Sequence, residues 1–430
     1  MIIRILIVFC FSVTVYSVEA QIKVSDILKS SLTDIKVQQS KSLIEKSESL
    51  KFNSPWIKSV EGRLGITGSA LNDSIYGYLR NEDNYGLILQ MNNFKEIRKQ
   101  KEYKSALVGT YQESYERDIE TALRIRYKDL TEYYFGLQSI RVLTDLEKLL
   151  VQKQNLLKHQ AQSGLELKIK EVIETDESKF KLSKELTQMK YGAQLSELKL
   201  KEYIGKKDAI QMDTSEFISV EQIKFKLNII WSNEFEIKEE DFFKSKINLA
   251  EAKLSYVKSQ NRNVFSDFRV AYDDPLYLTY PNKFKPLNNI SFRIGLNLPI
   301  SGNTNFKRSE AILELKLEEF SAQRMYVSKL NKLSELKIRI NELLETYSLI
   351  NDQKQNGLVN YLIKDPSTQG RIEPLDWIEL QIKANELHSQ WIKASFEITK
   401  IYLEICAAIN SNKKHSPVNY LDSNWNVWDN

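Results

Sequence analysis

The chain has 430 residues, of which 42% are hydrophobic and 27% are charged, so it can bury a sizeable core. Its 61 Lys and Arg against 57 Asp and Glu give a net charge of +4, which is too small for this length to indicate a nucleic-acid partner. It has only 8 prolines and 14 glycines, and no proline lies between 56 and 274. A compact α/β enzyme places these residues in frequent turns, so the composition argues against that class and predicts long elements.

The N-terminus has the pattern of a secretory signal peptide. Arg4 precedes an apolar run over 5–18, and Ala20 supplies the small residue that signal peptidase prefers. We predict a signal peptide over 1–20; a membrane anchor or a core helix is the alternative. Its removal leaves Cys406 as the only cysteine, which excludes an intramolecular disulfide and a cysteine metal cluster. No later segment reaches 18 apolar residues, so an exported chain would enter a membrane as β-structure.

Long helices are predicted for most of the first half. Residues 22–50 have the pattern of a polar N-terminal helix, and 94–162 repeat apolar residues at heptad spacing. That segment predicts one helix of roughly 100 Å, at ~1.5 Å per residue. The predicted elements after it are a helix over 165–204 that ends at Gly205, an irregular segment over 206–235 and a helix over 237–260.

The second half repeats the helical pattern over 304–356 and 375–409. In the first of these segments the predicted heptad seam consists of Tyr326, Leu330, Leu333, Ile340, Leu344 and Tyr347. In the second it consists of Leu387, Trp391, Ala394, Ile398, Ile401, Ile405 and Ala408. Helices patterned in this way must pack on each other or on another copy of the chain.

Two segments between the helices alternate with the period of a β-hairpin, which predicts four strands of roughly 8 to 11 residues. Such strands are long enough to cross a bilayer at a tilt, but a soluble antiparallel sheet fits the alternation equally well. In a membrane, the lipid-facing residues would be Val60, Leu64, Ile66, Leu87, Leu89, Phe268, Val270, Phe292, Ile294, Leu296 and Leu298. The alternate residues, which would line a barrel lumen, are Glu61, Arg63, Thr67, Asp267, Arg269, Ser291, Arg293 and Asn297. Four strands cannot close a barrel, so a barrel would need several chains.

An internal repeat relates the two halves. Gly164 and Gly370 lie 206 residues apart, as do Arg63 and Arg269. The predicted division is a signal peptide 1–20, an N-terminal helix 21–58, a first repeat 59–205 (hairpin 59–92, helical pair 94–205), an equatorial segment and helix 206–262, a second repeat 263–410 (hairpin 263–301, helical pair 303–410) and a C-terminal tail 411–430.

The sequence lacks the common catalytic motifs. It has no Gly-rich phosphate loop, no His-Glu-x-x-His and no Gly-x-Ser-x-Gly. Clustered carboxylates such as 239–241 and 273–274 are typical of solvated charge rather than of metal sites. We therefore predict no enzyme activity, no catalytic residue, no metal site and no cofactor.

The order of a signal, an N-terminal helix and two copies of hairpin plus helical pair resembles the TolC-like outer-membrane efflux protein family. The stretches that carry the resemblance are 294–302, with the sequence Ile-Gly-Leu-Asn-Leu-Pro-Ile-Ser-Gly before a charged helix, and the turn that begins at Gly370, with Asp376 six residues later. In the first copy, 86–92 lacks the usual proline, and the run from Gly164-Leu165 to 172–173 is about one residue out of register.

The resemblance implies a homotrimer in which each chain contributes four strands to one outer-membrane barrel. The helices would continue from it as an α-helical tunnel across the periplasm of a Gram-negative cell. In this family the tunnel exports substrates that an inner-membrane pump hands over through a periplasmic adaptor, which docks at the tip; here the tip would comprise Gly164, Leu165, Gly370 and Asp376. The insertion at 364–370 departs from the family's compact turn.

A periplasmic coiled-coil scaffold or adaptor without a pore is the alternative function. Adaptors usually carry one helical hairpin inserted in β-domains, whereas this chain has two sets of hairpin and rods. The repeat therefore favours the channel.

Overall fold

The computed structural model describes most of the chain. The described residues are 23–50, 57–71, 78–91, 94–164, 168–205, 217–232, 236–237, 240–260, 265–275, 290–296, 302–365, 367, 370–410 and 418–422. The predicted signal peptide lies outside them.

Helices dominate, and the strands form one small sheet and one short bridge. The helices are α1 Val24–Lys29, α2 Ile35–Ser49, α3 Phe94–Gln162, α4 Ile169–Ile204, α5 Val220–Ser232, α6 Glu240–Gln260, α7 Gly302–Asn356, α8 Leu358–Lys364 and α9 Pro374–Ala408. The strands are β1 Ile57–Leu71, β2 Tyr78–Met91, β3 Glu236–Ile237, β4 Phe265–Pro275, β5 Ile290–Leu296 and β6 Ile409–Asn410. The predicted fold class, mainly helical with a small β part, is confirmed.

Helix α3 is the axis of the molecule. Its 69 residues form one continuous helix of about 100 Å, with the bounds that the heptad spacing predicts. Near the sheet it packs against α2 and α6, and farther away against α4 and α9. Helix α7, with 55 residues, packs against α6 and α9 in the same way. Strand β3 pairs with β6, which brings the end of α9 to the start of α6. Helices α9 and α6 therefore follow one another between the two long helices.

Three parts of the helical prediction are wrong. The N-terminal helix predicted over 22–50 is two helices, α1 and α2, because residues 30–33 form a 3₁₀ helix and Asp34 has a non-helical ψ of 140°. The segment over 206–235 is not irregular throughout, because 220–232 form α5, whose Ile223 and Leu227 are buried in the core. The heptad seam predicted for α7 is buried at Leu333, Ile340 and Tyr347 but not at Tyr326 and Leu330, which are 45% and 37% exposed. The first part of α7 packs on α6 rather than α9, so the face that the helix buries changes along its length.

The main core lies at the middle of the long helices. Short elements surround it: α1 contributes Ile27 and Leu28, α5 contributes Ile223, and the tail contributes Leu421, all completely buried. The tail is also held by hydrogen bonds, since the Tyr127 hydroxyl donates to the Val418 carbonyl at 2.6 Å. This cluster ties the N-terminal and C-terminal segments to both repeats.

The sheet has the order β1-β2-β4-β5 and is antiparallel throughout, so the two hairpins lie side by side. Strands β1 and β2 have 15 and 14 residues, longer than the predicted 8 to 11, and β5 has 7. The first hairpin is paired far towards its turn, since Thr67 pairs with Glu82 and Ala70 with Leu79. Backbone ladder hydrogen bonds do not depend on apolar side chains, so pairing continues past the apolar alternation.

Candidate functional site

The apolar side chains of the sheet lie in register across all four strands. Directly opposed residues of an antiparallel ladder share a face, and neighbours along a strand alternate. The three rows on one face are Val60, Leu89, Phe268 and Ile294; Gly62, Leu87, Val270 and Phe292; and Leu64, Tyr85, Tyr272 and Ile290. Leu64 is 82% exposed, Phe292 67% and Ile294 62%. An apolar face this exposed requires a cover that the described residues of the protomer do not supply.

The opposite face of the sheet carries charges of both signs. Its central row is Glu61, Ile88, Arg269 and Arg293, so two arginines are direct cross-strand neighbours. Along β1, Arg63 lies 3.9 Å from Glu61, and along β4, Arg269 pairs with Asp267. Ile88 is the apolar exception on this face and is buried.

The sheet thus brings together the predicted lumen and lipid residues that the structure describes, each set on its own face. Some predicted residues lie outside this description. Leu298 and Asn297 are not among the described residues, and the side chains of Ile66, Thr67, Ser291 and Leu296 are not described although their backbones belong to strands. Their orientation remains a prediction from the alternation.

Both edges of this sheet are open as far as the described residues show. Strand β1 pairs only with β2, and β5 only with β4, among the described residues. Unpaired edges present rows of backbone N–H and C=O groups that can pair with another chain. The two edges differ in sequence and lie on opposite sides of the sheet, so one edge can pair with the other edge of a second copy.

Two helices at the flanks of the protomer carry exposed apolar stripes. On α4 the stripe consists of Ile169, Ile173, Phe180, Tyr191, Leu195 and Leu198. On α7 it consists of Leu313, Leu317, Phe320, Val327, Ile338 and Leu349. Each stripe lies opposite the buried face of its helix, as the spacing of 3.6 residues per turn requires. Neither stripe was predicted from the sequence, because both faces of such a helix have similar periodicity.

The first helical hairpin turns at the end of α3. The helix ends at Gln162, and Gly164 follows with a φ of +72°, a left-handed conformation that favours glycine. The Ser163 and Gly164 amides donate to the His159 and Ala161 carbonyls at 3.0 and 3.3 Å. Leu165, predicted for this tip, is outside the described residues.

The second helical hairpin is more elaborate than the first. Gly357 separates the end of α7 from the short helix α8, and α8 precedes the turn that contains Gly370. Helix α9 then begins with Pro374 in its first turn and Asp376 two residues later, a favourable start for a helix. Leu358 and Tyr361 of α8 are 79% and 62% exposed. The insertion noted at 364–370 thus lies directly after an extra helix.

An ion pair brings the two tips to the same end of the molecule. Lys153, nine residues before the end of α3, donates from Nζ to the Glu379 carboxylate of α9 at 2.7 Å. The same Nζ lies 3.8 Å from the Glu171 carboxylate of α4. The lysine side chain is only 12% exposed. This contact could not be predicted from the sequence, because no local pattern relates residues 226 positions apart.

Neither a metal centre nor a helical membrane span is found in the part of the chain that the structure describes. No group of three or more His, Cys, Asp or Glu side chains there is placed to hold a metal ion. No helix among the described residues is both long and apolar enough to cross a membrane. Cys406 is buried in the core.

Several solved structures share this fold. The open-state Neisseria gonorrhoeae MtrE outer membrane channel superposes with a TM-score of 0.62 at 9% identity, covering 89% of this chain and 88% of that one. A membrane protein from Pseudomonas aeruginosa gives a TM-score of 0.59 at 10% identity, covering 89% of both chains. The Campylobacter jejuni CmeC outer membrane channel gives a TM-score of 0.56 at 11% identity, covering 89% of this chain and 83% of that one. No protein-family model matches the sequence, and no curated protein matches it.

Proposed function

Because the chain has the fold of outer-membrane channel proteins, we propose that it is the outer-membrane channel of a tripartite efflux or type I secretion system. It is a passive conduit from periplasm to exterior for substrates that an inner-membrane pump and a periplasmic adaptor deliver. In this role the protein performs no chemistry and needs no cofactor. The TolC-like resemblance, the structural neighbours and the geometry of the sheet all support this proposal.

The observation that carries the proposal is the exposed apolar face of the sheet. Its rows run in register across β1, β2, β4 and β5, so the face is continuous. Lipid is the natural cover for such a face, while the opposite, charged face borders a water-filled lumen. Charges of both signs on that face predict a wet and weakly selective pore.

The open edges support assembly into a closed ring. A β1 edge that pairs with the β5 edge of the next copy makes a heterologous contact, which closes when the rotation between copies is that of a ring. The exposed stripes of α4 and α7 lie at the flanks of the helical part and would be covered by the same contact. The TolC-like resemblance implies three copies and a barrel of twelve strands.

The tips would form the adaptor-docking end in the periplasm. Gly164 and Leu165 in the first hairpin and Gly370 and Asp376 in the second are the residues proposed for it. The ion pair between Lys153 and Glu379 joins α3 to α9 close to these turns and would hold the aperture of the tunnel narrow.

The deciding experiment is cell fractionation with assembly and conductance measurements on the purified chain. We expect the protein in the outer membrane, as a trimer that resists mild detergent and conducts in planar bilayers. A soluble monomer in the periplasmic fraction would contradict the channel and favour the scaffold without a pore.

A pair of arginine substitutions tests the assignment of the two faces. Ile294→Arg places a cation on the apolar face, where insertion costs about 2–4 kcal/mol at the membrane midplane, so we expect loss of outer-membrane insertion. Glu61→Arg places the same side chain on the polar face as a matched control. It should insert normally and shift ion selectivity towards anions. Equal insertion of both variants would show that the apolar face does not contact lipid.

A further inference from the structure

Four helix ends form a layer directly beside the sheet. Helix α3 begins three residues after β2 ends, and α7 begins six residues after β5 ends. Helices α2 and α6 end shortly before β1 and β4. Because α2 packs on α3, α3 on α6 and α6 on α7, these four ends lie together.

The helix starts in this layer are basic. The first ten residues of α3 contain four Lys or Arg and two Glu. The first ten residues of α7 contain two Lys or Arg and one Glu. At the other end of the molecule, the first ten residues of α4 contain one Lys and four Asp or Glu. The first ten residues of α9 contain one Lys and two Asp or Glu. The helix dipole disfavours cations near an N-terminus, so the far end follows this preference and the sheet end opposes it in both repeats. An external negative charge would compensate for this arrangement.

Several of these cations have contacts within the protomer and are still exposed to solvent. Glu102 pairs with Lys99 and lies 3.2 Å from Arg98, and the Lys99 hydrogen bond lowers the pKa of Glu102. Lys104 donates to the Glu48 and Leu50 carbonyls at 2.8 and 2.7 Å, where it caps α2. The Arg98 side chain nevertheless remains 81% exposed. Further cations in the same turns are also exposed, namely Lys95, Lys101, Lys307 and Arg308.

An exposed phenylalanine precedes the cations in each repeat. Phe94, directly before Lys95, is 77% exposed, and Phe306, directly before Lys307, is 69% exposed. An aromatic ring beside lysine and arginine is the combination that proteins place at the boundary between acyl chains and head groups. From Phe94 to Lys101 the helix rises about 10 Å, enough to cross the polar layer on one side of a bilayer, which is roughly 5–8 Å thick.

We propose that this layer binds the anionic phospholipid head groups of the membrane leaflet on the helical side of the sheet. Phe94 and Phe306 enter the edge of the acyl region, and Lys95, Arg98, Lys101, Lys307 and Arg308 contact the phosphates. The inference rests on the proposed function, because a lipid surface lies here only if the sheet is in the membrane. It adds a lipid ligand and fixes the depth at which the protein sits.

The test uses the full chain reconstituted in nanodiscs of equal parts phosphatidylglycerol and phosphatidylcholine. The lipids that remain bound after detergent extraction are quantified by mass spectrometry. The unaltered chain should retain phosphatidylglycerol preferentially, and less so at high salt. In the triple variant Lys95→Gln, Arg98→Gln, Lys101→Gln, we expect roughly five-fold weaker retention for each charge removed. The matched control neutralises three exposed lysines of the far end, Lys168, Lys170 and Lys181, and should retain phosphatidylglycerol like the unaltered chain.

The outcomes separate this inference from the proposed function. A trimer that conducts but retains both lipids equally overturns the inference alone, and so does an equal loss in the control variant. A chain that does not insert into nanodiscs overturns both. Selective loss in the triple variant, with trimer and conductance unchanged, supports both.

Discussion

Asp129 is the buried carboxylate that joins α3 to α4. It is 1% exposed and accepts hydrogen bonds from Lys199 Nζ at 2.8 Å and the Tyr203 hydroxyl at 2.6 Å. Burial raises the pKa of Tyr203, and the bond to Asp129 raises it further, so the phenol stays a donor. The guanidinium of Arg126 lies 4.1 Å from the centre of the Tyr203 ring and 2.9 Å from Asp34. A buried charge is tolerated here because its partners surround it.

Asp129→Ala should lower the free energy of unfolding by about 2–3 kcal/mol, because it leaves buried donors without their acceptor. Thermal unfolding followed by circular dichroism measures the loss. Asp145→Ala is the control, since Asp145 is also on α3 and pairs with Lys148 but has a side chain that is 59% exposed. The control should change stability by less than about 1 kcal/mol. Equal effects would show that burial of Asp129 contributes nothing.

His388 is a half-buried histidine between α7 and α9. Burial lowers its pKa from 6.5, and the nearby Lys354 ammonium lowers it further. Lys354 lies 4.0 Å from the centre of the Trp391 ring, and the His388 ring lies 5.9 Å from the same ring. Protonation of His388 would place a second cation in this contact.

The pH dependence follows from the lowered pKa. As the pH falls below 6.5, His388 takes up a proton in the unfolded chain before it does so in the folded protein. The stability that neutral His388 contributes is therefore present above pH 6.5, and it is lost as the pH falls through the lower pKa of the folded state. We expect His388→Gln to reduce the fall in melting temperature between about pH 7.5 and 5. His159→Gln, at an exposed histidine, should leave the fall unchanged. An unaltered slope in His388→Gln would contradict the assignment.

At the scale of elements, glycine has two distinct roles in the long helices. Gly164 and Gly205 have φ of +72° and +64° and end α3 and α4, whereas Gly109 lies inside α3 with nothing within 4 Å of an added Cβ. Gly164→Ala should therefore cost about 1–2 kcal/mol through left-handed strain. Gly109→Ala should gain about 0.5–1 kcal/mol through helix propensity. Melting temperatures of the two variants should move in opposite directions, and a shift of the same sign would refute the turn geometry.

Helices were predicted correctly where the local sequence pattern fits only one kind of element. Heptad spacing identified α3 and α9 to within a few residues, and Gly205 identified the end of α4. The helix α5 was missed because its apolar face shows clearly only over 13 residues, and the extra length of β2 was missed because its outer half is polar.

At the scale of the whole molecule, the stripes of α4 and α7 predict where copies meet. Leu195→Glu and Leu317→Glu place a carboxylate on residues that are 57% and 69% exposed in the protomer and covered in the proposed trimer. Burying an unpaired charge there costs several kcal/mol, so we expect monomers in size-exclusion chromatography with light scattering. Ser178→Glu adds the same charge to an exposed position of α4 off the stripe and should leave the trimer intact. Intact trimers in all three variants would place the interface elsewhere.

The sequence by itself determined the long helices α3, α4, α7 and α9, the alternation of the sheet and the absence of common catalytic motifs, because these depend on residues close along the chain. Tertiary structure decided which distant residues meet. Leu87 opposes Val270, so the apolar alternation of two separate hairpins became one continuous face. Lys153 meets Glu379, so the two turns share one end of the molecule. Such contacts depend on the path of the whole chain between their partners, and periodicity along a segment carries no information about that path.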